Sequence, residues 1–343
     1  TLLVFGTKIG ARVDGAMTVL KIAIVFFVVI VGFFYVKASN FTPFIPPSQP
    51  ASTVEGSSAV TGVMTQPLWQ FATGMTPSVY GVPGILSGAA LVFFAFIGFD
   101  VVATASEETK NPHKNVPLGI GVGMLLIIVM YMLVAVVTTG MVSYADLAKQ
   151  DSPSLATAFE LVGADWAAKI ISFGIVLGLA TVVMVLLLGL TRIVFAMSRD
   201  GLLPRGLSKT GKHGTPAALQ IVVGAVVALV AAFFDIGVLS DMVNIGTLSA
   251  FTLVAISIPI MRKKRPDLPR AFKMPGDPWI PILIAVANFW LMLNLSVLTW
   301  IRFVVWLVVG VAIYFGYGYW HARLGKGDLT ETLSAETDKA VNG

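Results

Sequence analysis

The chain has 343 residues, 56% of them hydrophobic and 12% charged, with a mean hydropathy of +0.86. Charged residues at about half their share in an ordinary soluble domain exclude a water-soluble globular fold and direct the apolar surface to lipid. The absence of cysteine, with only His113, His213 and His321 placed in polar stretches, excludes a disulfide framework, a thiolate metal site and a histidine cluster within an apolar run; the net charge of +5 is explained by orientation below.

A helix needs about 20 apolar residues to cross the hydrocarbon core. Eight stretches meet this, at 16–36, 84–106, 118–142, 166–197, 217–234, 240–261, 280–298 and 303–319. They predict an all-α polytopic membrane protein forming one transmembrane domain over residues 1–343. Proline, glycine and charge punctuate the runs, as at Asn111-Pro112 before the third. The Pro-, Ser- and Thr-rich stretch 37–83 reads as an irregular extracellular loop. Short helices at 145–147 and 156–160 are expected on the outer rim, and 321–343 reads as a cytoplasmic tail. The chain opens on Thr1 without a signal peptide, and its first residues lead directly into a span, which reads as the loss of an upstream segment.

Alternating spans divide the connections into two sets, and 17 Lys and Arg fall in one against 3, Lys37, Lys149 and Arg302, in the other. The positive-inside rule makes the richer set cytoplasmic, with both ends of the chain inside. The basic balance therefore reflects orientation rather than nucleic-acid affinity. Arg262-Lys263-Lys264-Arg265 also suits anionic lipid headgroups.

Charges within spans cost about 2.5–3.5 kcal/mol each near the bilayer centre, so each is a functional candidate. Lys21 lies about two turns from the inner end of the first span. Its ammonium either snorkels to the headgroups or faces the interior and carries a proton. In the second span, Phe93-Phe94-Ala95-Phe96-Ile97-Gly98-Phe99-Asp100 combines a mid-span glycine, aromatic rings and an acid. A helix unwound there frees backbone groups, which is tolerable only where they line a cavity and meet a polar ligand. Asp100, Thr104, Glu107 and Glu108 share one face leading to the cytoplasm. Arg192 in the fourth span lies near the same membrane edge, and one of these carboxylates is expected to pair with it as an inner gate or as a static ion pair.

Residues 206–213 match a phosphate-loop spacing, but His213 stands where Ser or Thr must hold magnesium, and a membrane helix replaces the preceding strand. Gly119-x3-Gly123 and Gly174-x3-Gly178 read as small-residue helix contacts. No nucleophile triad or acid–base carboxylate pair is present in the sequence pattern, which argues against an enzyme. A channel is disfavoured because no ring of charges or filter repeat occurs.

The run from Phe93 to Asp100, followed by Ser106-Glu107-Glu108-Thr109-Lys110-Asn111-Pro112 and Pro117, resembles span six and its cytoplasmic loop in the amino acid–polyamine–organocation superfamily, specifically cationic-amino-acid-transporter-like permeases. Three further stretches agree in order and spacing. They are residues 8–13 through Lys21-Ile22, Arg192 through Pro204, and Arg270-Ala271-Phe272-Lys273-Met274-Pro275-Gly276.

This resemblance implies a LeuT-like fold of inverted repeats, with the eight spans as family spans five to twelve and the first four missing. On that basis the chain alone should not transport and reads as a fragment of a longer reading frame. The resemblance implies that Phe94, Ala95 and Phe99 contact an amino acid beside Gly98, with the main chain near Phe94–Ala95 receiving the α-amino group. It places Lys21, with Thr181 as a neighbour at similar depth, where sodium-coupled relatives hold an ion. The expected activity is proton-coupled symport of an amino acid across the plasma membrane by alternating access, with no cofactor beyond the proton. Exchange of amino acids or amines and a non-transporting scaffold or sensor are the rival readings. Broad or neutral side-chain specificity is expected, and oligomeric state is left open.

Overall fold

In a computed structural model of the chain, the described residues are 7–53, 62–99, 102, 109, 111–150, 153–208, 217–266, 276 and 278–322. Among them are helices α1 (Thr7–Phe33), α2 (Leu68–Thr73), α3 (Gly81–Val92), α4 (Pro112–Met141), α5 (Tyr144–Ala148), α6 (Leu155–Leu161), α7 (Asp165–Arg199), α8 (Ala217–Phe233), α9 (Ile236–Lys264), α10 (Trp279–Leu293), α11 (Val297–Ile313) and α12 (Tyr319–His321). Strands β1 (Gln49–Pro50) and β2 (Ser78–Val79) pair antiparallel.

Among the described residues, five helices are long and apolar enough to cross a membrane, starting at Gly15, Lys114, Asp165, Ile236 and Val297. Three apolar helices are shorter, at Gly81–Phe96, Ala218–Phe233 and Trp279–Leu293. At most 22% of the most apolar window of each long helix is buried within the protein. The exposed remainder, for example Phe173, Phe233 and Trp306, requires lipid as its solvent. The protein is a multi-pass helical membrane protein.

The chain forms two compact units. One comprises Ala16–Ala180 and Phe234–Phe303, and the other Thr1–Gly15, Thr181–Phe233 and Val304–Gly343.

In the larger unit, one core joins Val28 of α1, Val137 and Met141 of α4, Phe159 of α6 and Ile171 of α7. Lipid tails are as apolar as these side chains, so close packing rather than water exclusion holds such helices together. Glycines permit that closeness. A Cβ at Gly32 would lie 2.5 Å from Val137 Cγ1, and one at Gly174 would overlap Ile24. Gly174 and Gly178 thus make the expected small-residue contact, against Ile24 and the Lys21 stem. Gly119 and Gly123 do not, since no atom of a described residue lies within 4 Å of a Cβ at either position. A second core joins Ala90 of α3, Ile245 and Leu248 of α9, and Met292 and Leu295 at the end of α10.

In its described parts, residues 37–53 and 62–83, the stretch 37–83 is more ordered than its composition suggests. It holds α2, the β1–β2 pair and a 3-10 turn at Ala38–Phe41. Main-chain bonds tie it to the α10–α11 connection, from Leu68 N–H to Leu295 O at 3.0 Å and from Val297 N–H to Gln66 O at 3.1 Å. Backbone pairing with a distant segment supplies order that local sequence does not signal.

The expected rim helices form as α5 and α6, because Ser143 and Ser154 accept from Asp146 N–H and Thr157 N–H at their N-termini. The Ser143 hydroxyl also donates to Asp146, which with Lys149 holds that carboxyl below its usual range. Two helix starts differ from expectation. α9 begins at Ile236 after Asp235, which carries Asp241 further into the helix. α11 begins at Val297 because Ser296 Oγ accepts from Thr299 N–H at 3.2 Å, so Arg302 is helical rather than part of a loop.

In the smaller unit, α7 ends at a left-handed glycine, Gly201, with φ +83°. A Cβ there would overlap the His321 carbonyl oxygen. Buried Ser198 donates to Pro204 O at 2.7 Å, fixing the chain's exit.

Candidate functional site: a broken helix in the second span

Helix α3 does not continue through its apolar run. After Val92 it tightens into a 3-10 turn at Phe93–Phe96, which Ile97 N–H closes onto Phe94 O at 3.2 Å. Ile97 is extended, with ψ 137°, and Gly98 has φ +120°. That φ is costly for any residue with a Cβ, so glycine at this position permits the break. Tightening and termination release carbonyl oxygens from α-helical pairing.

Neighbouring helices engage two of these oxygens. Asn244 of α9, fully buried, donates from Nδ2 to Ala90 O at 3.2 Å. Tyr131 of α4 donates its hydroxyl to Ala95 O at 2.7 Å. A carbonyl oxygen has a second lone pair, so Ala95 retains capacity for another donor such as an ammonium. Phe251, two turns beyond Asn244 on the same face of α9, has its ring 6.2 Å from Phe93 and 5.3 Å from Phe99. The Tyr131 ring lies 5.1 Å from Phe96. The break is therefore held between α4 and α9. Phe94, 42% exposed, keeps much of its ring uncovered by protein.

The structure brings Phe94, Ala95, Gly98 and Phe99 together at this break. Asp100, Glu107 and Glu108 lie outside the described residues, so the expected gate with Arg192 lies outside them too. Arg192 is half-buried on α7. Lys21 is half-buried on α1, and its Cγ and Cδ lie 3.8 and 3.9 Å from a Cβ position at Gly178. Thr181, three residues past Gly178 on α7, is buried. Tyr131, Asn244 and Phe251 were not singled out by sequence. The Asn244 amide within an apolar span was the one available signal, since Tyr and Phe at helical spacing look alike whether they face lipid or protein.

Residues 1–318 match the amino acid permease family. The chain is 41% identical over 326 residues to a branched-chain amino acid permease, BcaP, of Bacillus subtilis (strain 168), covering 95% of this chain and 63% of that protein. It is 38% identical to a methylthioribose transporter of the same organism, covering 94% of this chain and 62% of the relative. It is 35% identical to the vacuolar cationic amino acid transporter 4 of Arabidopsis thaliana, over 78% of this chain and 40% of that protein. The chain thus spans a little under two thirds of the length of its bacterial relatives. With the match running through every long apolar helix, the chain belongs to the amino acid permease family, within the amino acid–polyamine–organocation superfamily.

Proposed function

We propose that the protein carries a neutral amino acid across the plasma membrane by proton-coupled symport, in a LeuT-like fold that alternates access to a site at the Ile97–Gly98 break. The observation that carries this reading is the break itself, with its 3-10 turn, positive-φ glycine and partly uncovered Phe94. Freed peptide groups in a membrane helix call for a polar ligand, and a zwitterion meets that need. The rings of Phe93 and Phe99 against Phe251, with the partly uncovered Phe94 in the same turn, suit an apolar side chain, in keeping with the name of the branched-chain relative. Lys21 is the proposed proton carrier. It is the cation of the first span, and its stem is laid on Gly178. The lysine- and arginine-rich connections support a cytoplasmic placement of both ends of the chain.

Carriage of methylthioribose is a second reading, favoured by the 38% identical relative of that name. Uptake of labelled isoleucine and of labelled methylthioribose into proteoliposomes bearing the full-length gene product, with and without a proton gradient, decides between them. Gradient-driven isoleucine uptake supports the proposal. Isoleucine uptake indifferent to the gradient replaces symport by exchange, and methylthioribose uptake alone replaces the substrate.

A further inference from the structure

A cavity of about 730 Å³ opens within the larger unit, at the helix ends that the charge bias assigns to the outside. Its walls come from the 3-10 turn at Ala38–Phe41, the β1–β2 segment, α3, the ends of α4 and α10, and the start of α9. Its size lies within the roughly 300–1,000 Å³ typical of small-molecule sites. It runs along α3 as far as Leu91, one helical turn before Phe94.

The wall chemistry is asymmetric. Its one charged side chain among the described residues is Asp241 of α9. Two polar neighbours in the wall, Asn294 and Thr139, are engaged elsewhere. Asn294 accepts from Trp69 Nε1 at 2.9 Å and donates to Trp290 O at 2.8 Å, and Thr139 donates to Ala135 O at 2.7 Å. Thr299 donates to Asp241 Oδ2 at 3.0 Å and is itself bonded to Ser296 at 2.8 Å, which fixes the carboxylate in place. Among the described residues, no hydrogen-bond donor meets Oδ1. Among the described residues Arg302 closes no ion pair with the carboxylate, and it does not line the cavity. Tyr80 and Tyr144 meet edge to face with centroids 5.3 Å apart and, with Phe41, give the cavity aromatic surfaces that attract cations.

We propose that this cavity is an outer docking subsite for a solute bearing a primary ammonium group, which Asp241 receives before the solute reaches the helix break. A carboxylate fixed in a partly enclosed cleft raises the local concentration of cations, by roughly tenfold or more. The proposal rests on the transport reading for its place in a pathway, while the cation site stands on its own geometry.

These 343 residues hold no cysteine, so Ser87→Cys, on the cavity wall at α3, introduces their single thiol, and any cysteine elsewhere in the full-length protein is replaced by serine beforehand. The purified protein carrying it is reacted with a trimethylammonium-ethyl and a sulfonato-ethyl methanethiosulfonate. The cationic reagent is expected to gain roughly tenfold over the anionic one, relative to their rates with free cysteine. Asp241→Asn should abolish that preference. Thr299→Val, which keeps the carboxylate and removes its hydrogen bond, should retain it. Isoamylamine and L-leucine should slow labelling, and N-acetyl-L-leucine should not. Protection by isoamylamine without L-leucine assigns the ammonium to a simple amine rather than an amino acid.

Equal reactivity of the two reagents, an unchanged preference in Asp241→Asn, equal loss in Thr299→Val, or protection by N-acetyl-L-leucine would each overturn the proposal. Labelling of intact cells separates the two readings. Selectivity in purified protein without labelling from outside leaves the cation site standing and removes the outer placement. Selectivity without any uptake removes the transport reading alone.

Discussion

The Tyr131 hydroxyl on α4 donates a 2.7 Å hydrogen bond to the main-chain carbonyl of Ala95, in the 3-10 turn where α3 ends. A side chain on one helix thus satisfies a backbone oxygen that a continuous helix would have paired internally. The break is thereby fixed to α4, while Phe251 and Asn244 fix it to α9. A helix interruption so restrained can present its peptide groups in a defined direction, which free fraying in lipid could not do.

Tyr131→Phe removes only the donor. Hydrogen bonds of this kind contribute about 0.5–1.5 kcal/mol, so substrate affinity should fall by roughly two- to tenfold with expression and size-exclusion behaviour unchanged. Titration of labelled isoleucine on the purified variant checks it, and an affinity equal to the parent would show that the bond does not orient the site.

Gly98→Ala places a Cβ at φ +120°, where no atom of a described residue beyond its chain neighbours lies within 4 Å. The penalty is conformational rather than steric, on the order of 1–3 kcal/mol. Thermal stability and uptake should both fall. Gly88→Ala is the control, since Gly88 is helical and also faces open space. There alanine should stabilise by about 0.5–1 kcal/mol. Equal melting temperatures for the two variants would contradict the backbone seen at Gly98.

Lys21→Met keeps an unbranched stem against Gly178 and removes the ammonium. Isoleucine binding should persist, while stimulation of uptake by an inward proton gradient should disappear. Gradient-stimulated uptake that survives in this variant assigns coupling to another residue.

Gly174→Ala forces a Cβ into Ile24. Overpacking of this kind costs about 1–3 kcal/mol. Ile24→Ala in the same chain should recover part of the loss, because the two residues share one contact. A double variant no more stable than Gly174→Ala alone would mean that strain at Gly174 arises elsewhere.

The break was legible in the sequence because glycine followed by an acid interrupts an apolar run, a pattern a lipid-facing helix has no use for. Asp241 was equally visible as a charge, yet it stood second in the span drawn from 240. Only the helix start at Ile236 and the bond from Thr299 placed it on a cavity wall. Arg302 precedes the span expected from 303, whereas Ser296 starts α11 at Val297 and makes Arg302 helical. Gly119-x3-Gly123 and Gly174-x3-Gly178 carry the same spacing, and nothing local distinguishes the pair in open space from the pair packed on α1.

Composition and the spacing of apolar runs by themselves determined the membrane class, the approximate positions of the long helices, the bias of positive charge and the point where α3 breaks. These follow from the length of the hydrocarbon core and from the cost of charge and open backbone within it. The tertiary structure decided which faces meet, and so brought Tyr131, Asn244 and Phe251 to the break and Asp241 to its cavity. In water, burial separates apolar from polar faces and leaves a readable stripe. In lipid both the packed and the exposed faces are apolar, so close fit and a few hydrogen bonds choose between them, and those exist only once the helices have met.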